Sequence, residues 1–440
     1  MPPRPFCRPV PTPLSAPTPD PRRALLALEQ IGIKLGLDQI RGLVAALNHP
    51  DRAFPSIIVA GTNGKGSVTA IIERALRAAG YRTGRYTSPH LVHLEERFAI
   101  DGEPIPPETL DRAALRVLTA GRSLPSPPSF FEATTALALD VFREAAVDVA
   151  VLEVGLGGRL DATNVVTPVA VAITSIDFDH EQYLGDTLEA IAAEKAGVIK
   201  TGCDVVLSEN PSAAVDVVTR RCAEVGARLF KAQDGVNADT ALRVDGRTVM
   251  TVETPVRRYD QLVLGLRGAH QIGNTITAIR LLEQVAIGFS GLAVTAEAVR
   301  QGVEDVRWPG RLETVRHGEF DVLIDGAHNP AGARALASYI TAAYGRRLPM
   351  VVGVMRDKNV DAILAALAPV ASCFVFTAPD SPRAAEPREL VGRARLVAPD
   401  VPAEVNLAPI DALRRASVSG VPVVVAGSLY LAGEIRSRLS

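Results

Sequence analysis

Ala60-Gly-Thr-Asn-Gly-Lys-Gly-Ser67 is the stretch that decides the fold. It follows an apolar run, Ser56–Ala60, and precedes a helical pattern from about Ser67 to Ala79 that Gly80 closes. Strand, glycine loop and helix in that order make a β–loop–α unit. Glycines let the backbone curl around phosphate oxygens and aim successive N–H groups inward. The helix N-terminus adds a field that favours anions. Gly61, Thr62, Asn63, Gly64 and Gly66 would line the phosphates, Lys65 would reach the β and γ positions, and Ser67 would hold Mg²⁺. The spacing departs from the common G-x-x-x-x-G-K-[ST] pattern, because Gly66 separates Lys65 from Ser67. A glycine turn with a solvated lysine is the competing reading.

Outward from this loop, the apolar runs Val147–Val154, Val169–Ser175 and Asp204–Ser208 alternate with helical patterns, which favours a parallel α/β sheet. Asp20-Pro21 supplies an N-cap and an N1 proline for a first helix. Short alternating strands over Ala241–Leu264 predict a small antiparallel sheet, and a helix is expected over Asn274–Gln284. Val306-Arg-Trp-Pro-Gly-Arg-Leu312 breaks any helix and reads as a linker. Beyond it a second α/β pattern restarts, with strands at Asp321–Ile324, Met350–Val354, Cys373–Thr377 and Val421–Ala426. The expected organisation is a flexible lead-in (1–20), a parallel-sheet ATP-binding domain carrying a small antiparallel sheet (21–305), a linker (306–312) and a C-terminal Rossmann-like α/β domain (313–440).

The 440 residues suit two domains. With 47 Lys and Arg against 49 Asp and Glu, the chain has no basic footprint for nucleic acid. Anionic ligands must therefore be held by local clusters. Cys7, Cys203, Cys222 and Cys373 show no paired spacing, so neither a zinc site nor a disulfide framework is expected. Reduced thiols and a cytoplasmic location follow. No apolar run reaches the length of a membrane span, and the proline-rich start lacks a signal-peptide core.

Several further segments, in order, carry a resemblance. They are Tyr86-Thr-Ser-Pro-His-Leu91, Phe130-Phe-Glu-Ala-Thr-Thr135 and Glu153-Val-Gly-Leu-Gly-Gly-Arg-Leu-Asp-Ala-Thr-Asn164. His180, Leu184-Gly185 and Glu194-Lys-Ala-Gly197 follow. Then come His270-Gln-Ile-Gly-Asn274, Trp308-Pro-Gly-Arg311, Asp325-Gly-Ala-His-Asn-Pro330 and Gly427-Ser-Leu-Tyr430. With the glycine loop, they resemble the folylpolyglutamate synthase and dihydrofolate synthase branch of the Mur ligase family. Other branches usually carry Thr where Gly66 stands.

The resemblance implies ATP-dependent ligation of L-glutamate to dihydropteroate or a reduced folate such as tetrahydrofolate, by a monomer, through an acyl phosphate. It implies that Ser67, Ser88, Glu153 and His180 contact magnesium, with two Mg²⁺ expected and K⁺ a further candidate. Lys195, in the last turn of a helix that Asp186 should cap, is implied to be carbamylated and to hold the second Mg²⁺. By itself it reads as a lysine favoured by the helix dipole. Asn274 would read the adenine edge, Arg311 would contact phosphate, and Asp325 would bind ribose or orient Arg311. Phe130, Phe131, Asp161, Ala162 and Thr163 would border the pterin. His328, Ser428 and Tyr430 would meet the substrates, with His328 a candidate base beside the catalytic Lys65, Glu153 and Lys195. Two alternatives are a cell-wall precursor ligase of the same larger family and a non-catalytic ATP-binding module.

Overall fold

Residues 20–32, 34–418 and 420–439 are described by a computed structural model. The expected lead-in lies outside the described residues apart from Asp20. That residue caps the helix Pro21–Ala27 as expected, its carboxylate accepting from the N–H groups of Arg22 and Arg23.

β1 (Ser56–Ala60) is buried along its whole length, which explains why its sequence is continuously apolar instead of alternating. Ile58 and Ala60 enter one core, Ile57 and Val59 the core on the other face. Around it lie β2 (Thr83–Tyr86), β3 (Phe98–Ile100), β4 (Glu103–Pro104), β5 (Val149–Glu153), β6 (Ala170–Ile173), β7 (Asp204–Leu207) and β8 (Arg228–Lys231). The sheet order is β4-β3-β2-β5-β1-β6-β7-β8. From β2 to β8 all neighbours are parallel, and β3 and β4 extend one edge antiparallel. β3 and β4 have three and two residues, too few for a pattern to show in sequence.

β9 (Asn237–Leu242), β10 (Thr248–Glu253) and β11 (Arg258–Val263) form the expected antiparallel sheet, which starts a few residues earlier than anticipated. Met250 and Val252 of β10 point into the core behind β1. The helix His270–Gly288 is longer than expected at both ends.

The second α/β unit holds β12 (Glu313–His317), β13 (Phe320–Ile324), β14 (Leu348–Val352), β15 (Ala371–Phe376), β16 (Ala403–Val405) and β17 (Val423–Ala426), in the order β12-β13-β17-β14-β15-β16. Only β12 is antiparallel to its neighbour. β12 and β16 were not expected from the sequence. Both are edge strands, one rich in charge and the other three residues long, and edges need no apolar run.

One local expectation is corrected. The helix carrying Lys195 runs Leu188–Ala196, and its N-cap is Thr187, whose hydroxyl accepts from Ala190 N–H; Asp186 stands outside it. Both residues are good caps, and Thr187 takes the role because the extended backbone at its position aims the hydroxyl at the first turn.

Candidate active site

The carboxyl ends of parallel strands face the usual ligand crevice of such sheets. Four of them converge here: the glycine loop after β1, Ser88 after β2, Glu153 at the end of β5, and Ser175 to His180 after β6. With Arg311 from the 306–312 segment and Asp325 and His328 from the second unit they line a cavity of about 320 Å³.

The loop is held from below. Thr62 N–H donates to Ser175 O at 2.7 Å, and the Thr62 hydroxyl donates to Asp177 O at 3.0 Å. Gly64 has φ +87°, a conformation that side chains rarely adopt, and leads into the helix Lys65–Ala78. That helix begins at Lys65, earlier than the sequence suggests. Lys65 curls back, its Nζ donating to Gly61 O at 3.1 Å and Thr62 O at 3.0 Å. Lys195 reaches the same Gly61 carbonyl at 2.9 Å. Burial lowers both lysines. Lys195 falls to about 7, helped by the nearby charge of Lys65. Two buried lysine amines therefore meet at one carbonyl oxygen on the cavity floor, a setting that a bound anion would favour.

Glu153 is also buried, and burial raises its pKa against the opposing pull of Lys65 and the Ser88 N–H, which donates to Oε2 at 3.1 Å. Ser67 is buried, its Oγ accepting from Gln271 Nε2 at 3.2 Å. Gln271 Oε1 in turn accepts from Asn274 Nδ2 at 2.9 Å. Gln271 therefore ties the helix His270–Gly288 to the loop; its place beside Asn274 in the motif was visible, its role was not.

From the other side, Asp325 spends its oxygens on Leu312 N–H and Ala327 N–H, both at 2.9 Å. It fixes the turn that presents Arg311 and His328. His328 Nδ1 lies 2.8 Å from Gly326 O, and burial together with Lys358 pushes the ring down to about 4. His180 is likewise lowered to about 4, chiefly by burial.

Sequence reading missed Asp179, Lys358 and Asn329. Lys358 Nζ sits 2.6 Å from Asp179 Oδ1, and Asn329 Nδ2 donates to Asn63 Oδ1 at 2.9 Å. Burial works against the Asp179 charge, yet His180, Lys358 and His328 hold its carboxyl below the usual range. Asp179 stands one residue before His180, but nothing in the chain marks Lys358 as its partner 179 positions away.

A second, larger cavity of about 780 Å³ opens beside the first. Phe130, Phe131, Asp161, Ala162, Ser428 and Tyr430 all border it. Phe131 packs on Tyr86 with ring centroids 5.9 Å apart, and Arg97 lies over Phe130 at 5.2 Å. Asp161 accepts from the N–H groups of Gly155, Leu156 and Thr163, so its oxygens shape the loop. Thr163 does not border the cavity. It is fully buried, and its hydroxyl donates to Asp161 at 2.5 Å, so the expectation of a substrate contact there is replaced by a supporting role.

Residues 59–282 match the Mur ligase middle domain and residues 310–429 the Mur ligase, glutamate ligase domain. A dihydrofolate synthase/folylpolyglutamate synthase of Mycobacterium tuberculosis is 37% identical over 395 residues, covering 84% of this chain and 81% of that protein. The chain is a member of the Mur ligase family. Among solved structures, this Mur ligase is similar to M. tuberculosis folylpolyglutamate synthase complexed with ADP and AMPPCP, with a TM-score of 0.87, 35% identity, and coverage of 96% of this chain and 99% of that one. E. coli FolC in complex with DHPP and ADP gives a TM-score of 0.84 at 29% identity, covering 95% and 97%. Both neighbours share the arrangement of a parallel-sheet unit and a second α/β unit across nearly their whole length, and these relatives belong to the folate branch, not to the cell-wall precursor ligases.

Proposed function

We propose that this Mur ligase joins L-glutamate to dihydropteroate, to reduced folates, or to both, using ATP. The observation that carries the reading is the meeting of two cavities at Ser88: one floored by the glycine loop and its two buried lysines, the other walled by Phe130 and Phe131. A triphosphate suits the first, a flat aromatic acid the second. The units 21–305 and 313–440, joined by 306–312, each contribute to both.

The acid carboxylate attacks the γ-phosphorus of ATP, giving an acyl phosphate and ADP. The neutral glutamate amine then attacks the acyl carbon, and inorganic phosphate leaves as the amide forms. Lys65 and Arg311 offset charge on the transferring phosphoryl group. His328, neutral near pH 7, is free to take the proton that the amine sheds. Asn274 faces the base, and Ser428 and Tyr430 border the substrate cavity. Closure of the two units over ATP keeps water from the acyl phosphate.

The donor set fits magnesium. Among the described residues no three His, Cys, Asp or Glu groups gather around a point, but Mg²⁺ needs only one or two carboxylates beside phosphates and water. Glu153 is a buried carboxylate that lines the cavity together with Ser67 and Ser88. His180 adds a nitrogen nearby. Bound there, the ion screens the phosphate charge. Lys195 fits carbamylation: it is buried, has no carboxylate in salt-bridge contact among the described residues, and keeps a fraction of neutral amine able to add CO₂ with loss of a proton. No set of described residues singles out a K⁺ site. No helix among the described residues is long and apolar enough to cross a membrane, and the free thiols of Cys203, Cys222 and Cys373 suit the reducing cytoplasmic setting of this reading.

The test is phosphate release dependent on both MgATP and L-glutamate, with dihydropteroate and tetrahydrofolate supplied separately. Activity with either supports the reading, and activity with both makes the enzyme bifunctional. A folded protein that binds ATP and turns over neither would refute it.

A further inference from the structure

A third cavity, about 410 Å³, meets the reaction centre from the side opposite the aromatic one. It shares Ser88, Glu153 and Arg311 with the nucleotide cavity and touches the aromatic cavity only at Ser88, Pro89 and Leu429. Neither the nucleotide nor the pterin reading uses it. Its walls are arginine-rich: Arg74, Arg77 and Arg85 from the first unit and Arg307 from the linker, with Trp308 between them.

Of the acids lining the cavity, Glu73, Glu96, Glu103, Glu153 and Asp305, only Glu73 and Asp305 pair with these arginines among the described residues. Buried Glu73 is shared, 3.6 Å from Arg77 and 3.4 Å from Arg85. The Nε atoms of Arg77 and Arg85 are buried with no hydrogen-bond acceptor. Burial lowers Arg85, which lies over the Trp308 ring at 5.1 Å. Asp305 takes Arg74 at 2.7 Å, and among the described residues no carboxylate pairs with Arg307. Arginines that share one carboxylate around a cavity, with Arg307 beside them, suit oxyanions, carboxylates above all when several must be held in a row.

We propose that this cavity binds the carboxylates of a γ-linked oligoglutamate, the tail of a folate that has already been extended. The inference rests on the ligase reading above. Each added glutamate carries one more α-carboxylate, while the reacting terminal carboxylate must always lie at Ser88 and Glu153. A longer tail has to leave the line between the pterin and that point, and the arginine cavity is the polar space that opens there.

Trp308 is the only tryptophan of the chain, so intrinsic fluorescence of the whole protein reports this cavity without turnover. Free tetra-γ-L-glutamate, L-glutamate and inorganic phosphate would each be titrated in the absence of nucleotide. The tetramer is expected to change the emission at a concentration at least about tenfold lower than either small anion, because several carboxylates bind together. Arg307→Gln, at an exposed position, and Arg77→Gln should each weaken that response about fivefold or more. The same variants should lower kcat/KM for a pentaglutamyl folate and leave that for a monoglutamyl folate unchanged. Equal responses to phosphate and tetramer, or a tetramer response indifferent to both variants, would overturn the proposal. The fluorescence arm does not depend on catalysis. Tetramer binding without any ligase activity would therefore sink the functional reading and keep the site, whereas ligase activity without tetramer binding would do the reverse.

Discussion

Asn329 of the glutamate ligase domain donates its side-chain amide to Asn63 of the phosphate loop at 2.9 Å, while its own Oδ1 accepts from Gly332 N–H at 2.8 Å. One residue thus caps the helix Pro330–Tyr344 and touches the loop of the other domain. The two tasks can be separated. Asn329→Ser keeps a capping hydroxyl and loses the amide donor. It should stay within about 0.5 kcal/mol of wild type in stability and lose roughly tenfold in kcat/KM for ATP. Asn329→Ala should lose the same activity and about 1 kcal/mol besides. Urea melts beside initial rates distinguish the pair, and a serine variant with full activity would remove Asn329 from domain closure.

Asp179 and Lys358 form a second clasp between the domains, at 2.6 Å, with side chains only 12% and 8% exposed. Breaking one partner of a buried pair costs about 3 kcal/mol. Lys358→Met should therefore favour open domains. Small-angle scattering with ATP bound should show a larger radius of gyration than wild type, together with a fall of about a hundredfold in kcat/KM. A variant as compact and as active as wild type would contradict this.

Gly66 separates Lys65 from Ser67 in the phosphate loop, and the fold gives a steric reason for glycine there. A Cβ added there would lie 2.8 Å from the Trp308 indole nitrogen, with two ring carbons at 2.9 and 3.0 Å. Gly66→Ala should displace the ring, shift tryptophan emission to longer wavelength and cost about 1–3 kcal/mol. Unchanged emission would show that the linker yields without moving the indole.

Lys195→Ala deletes a buried amine that rests on Gly61 O. Activity should fall at least about a hundredfold. Acetate or formate, entering the space left by the side chain, should restore part of it if the working group is a carbamate. An inactive variant that no short carboxylate rescues would instead favour the plain ammonium contact with the loop.

His328 titrates at about 4 in the fold, lowered by burial and by Lys358, against about 6.5 in an unfolded chain. Between those values the unfolded state binds more protons, so this residue's contribution makes the protein less stable as pH falls from 6.5 to 4. His328→Gln should flatten that slope in denaturant melts. Above pH 6 the wild-type ring is neutral, so kcat/KM should show no inflection near 6.5 from this group. An inflection there that vanishes in the variant would mean that the ring titrates normally.

The chain alone determined the β–loop–α unit, the second α/β pattern and the family, because these are written in short-range signals. Buried parallel strands must be apolar throughout, a phosphate loop must be glycine-rich, and helix ends carry their own caps. Thr187 shows the limit even there, since Asp186 beside it is as good a cap and only the backbone direction chooses between them. What folding decided is which distant groups meet. Lys65 and Lys195 share one carbonyl oxygen, Gln271 grips Ser67, and Lys358 closes on Asp179. The arginines around the Trp308 cavity come from helix, strand and linker. No local pattern encodes such pairs, because their energies arise from burial and charge compensation, which exist only once the chain has folded.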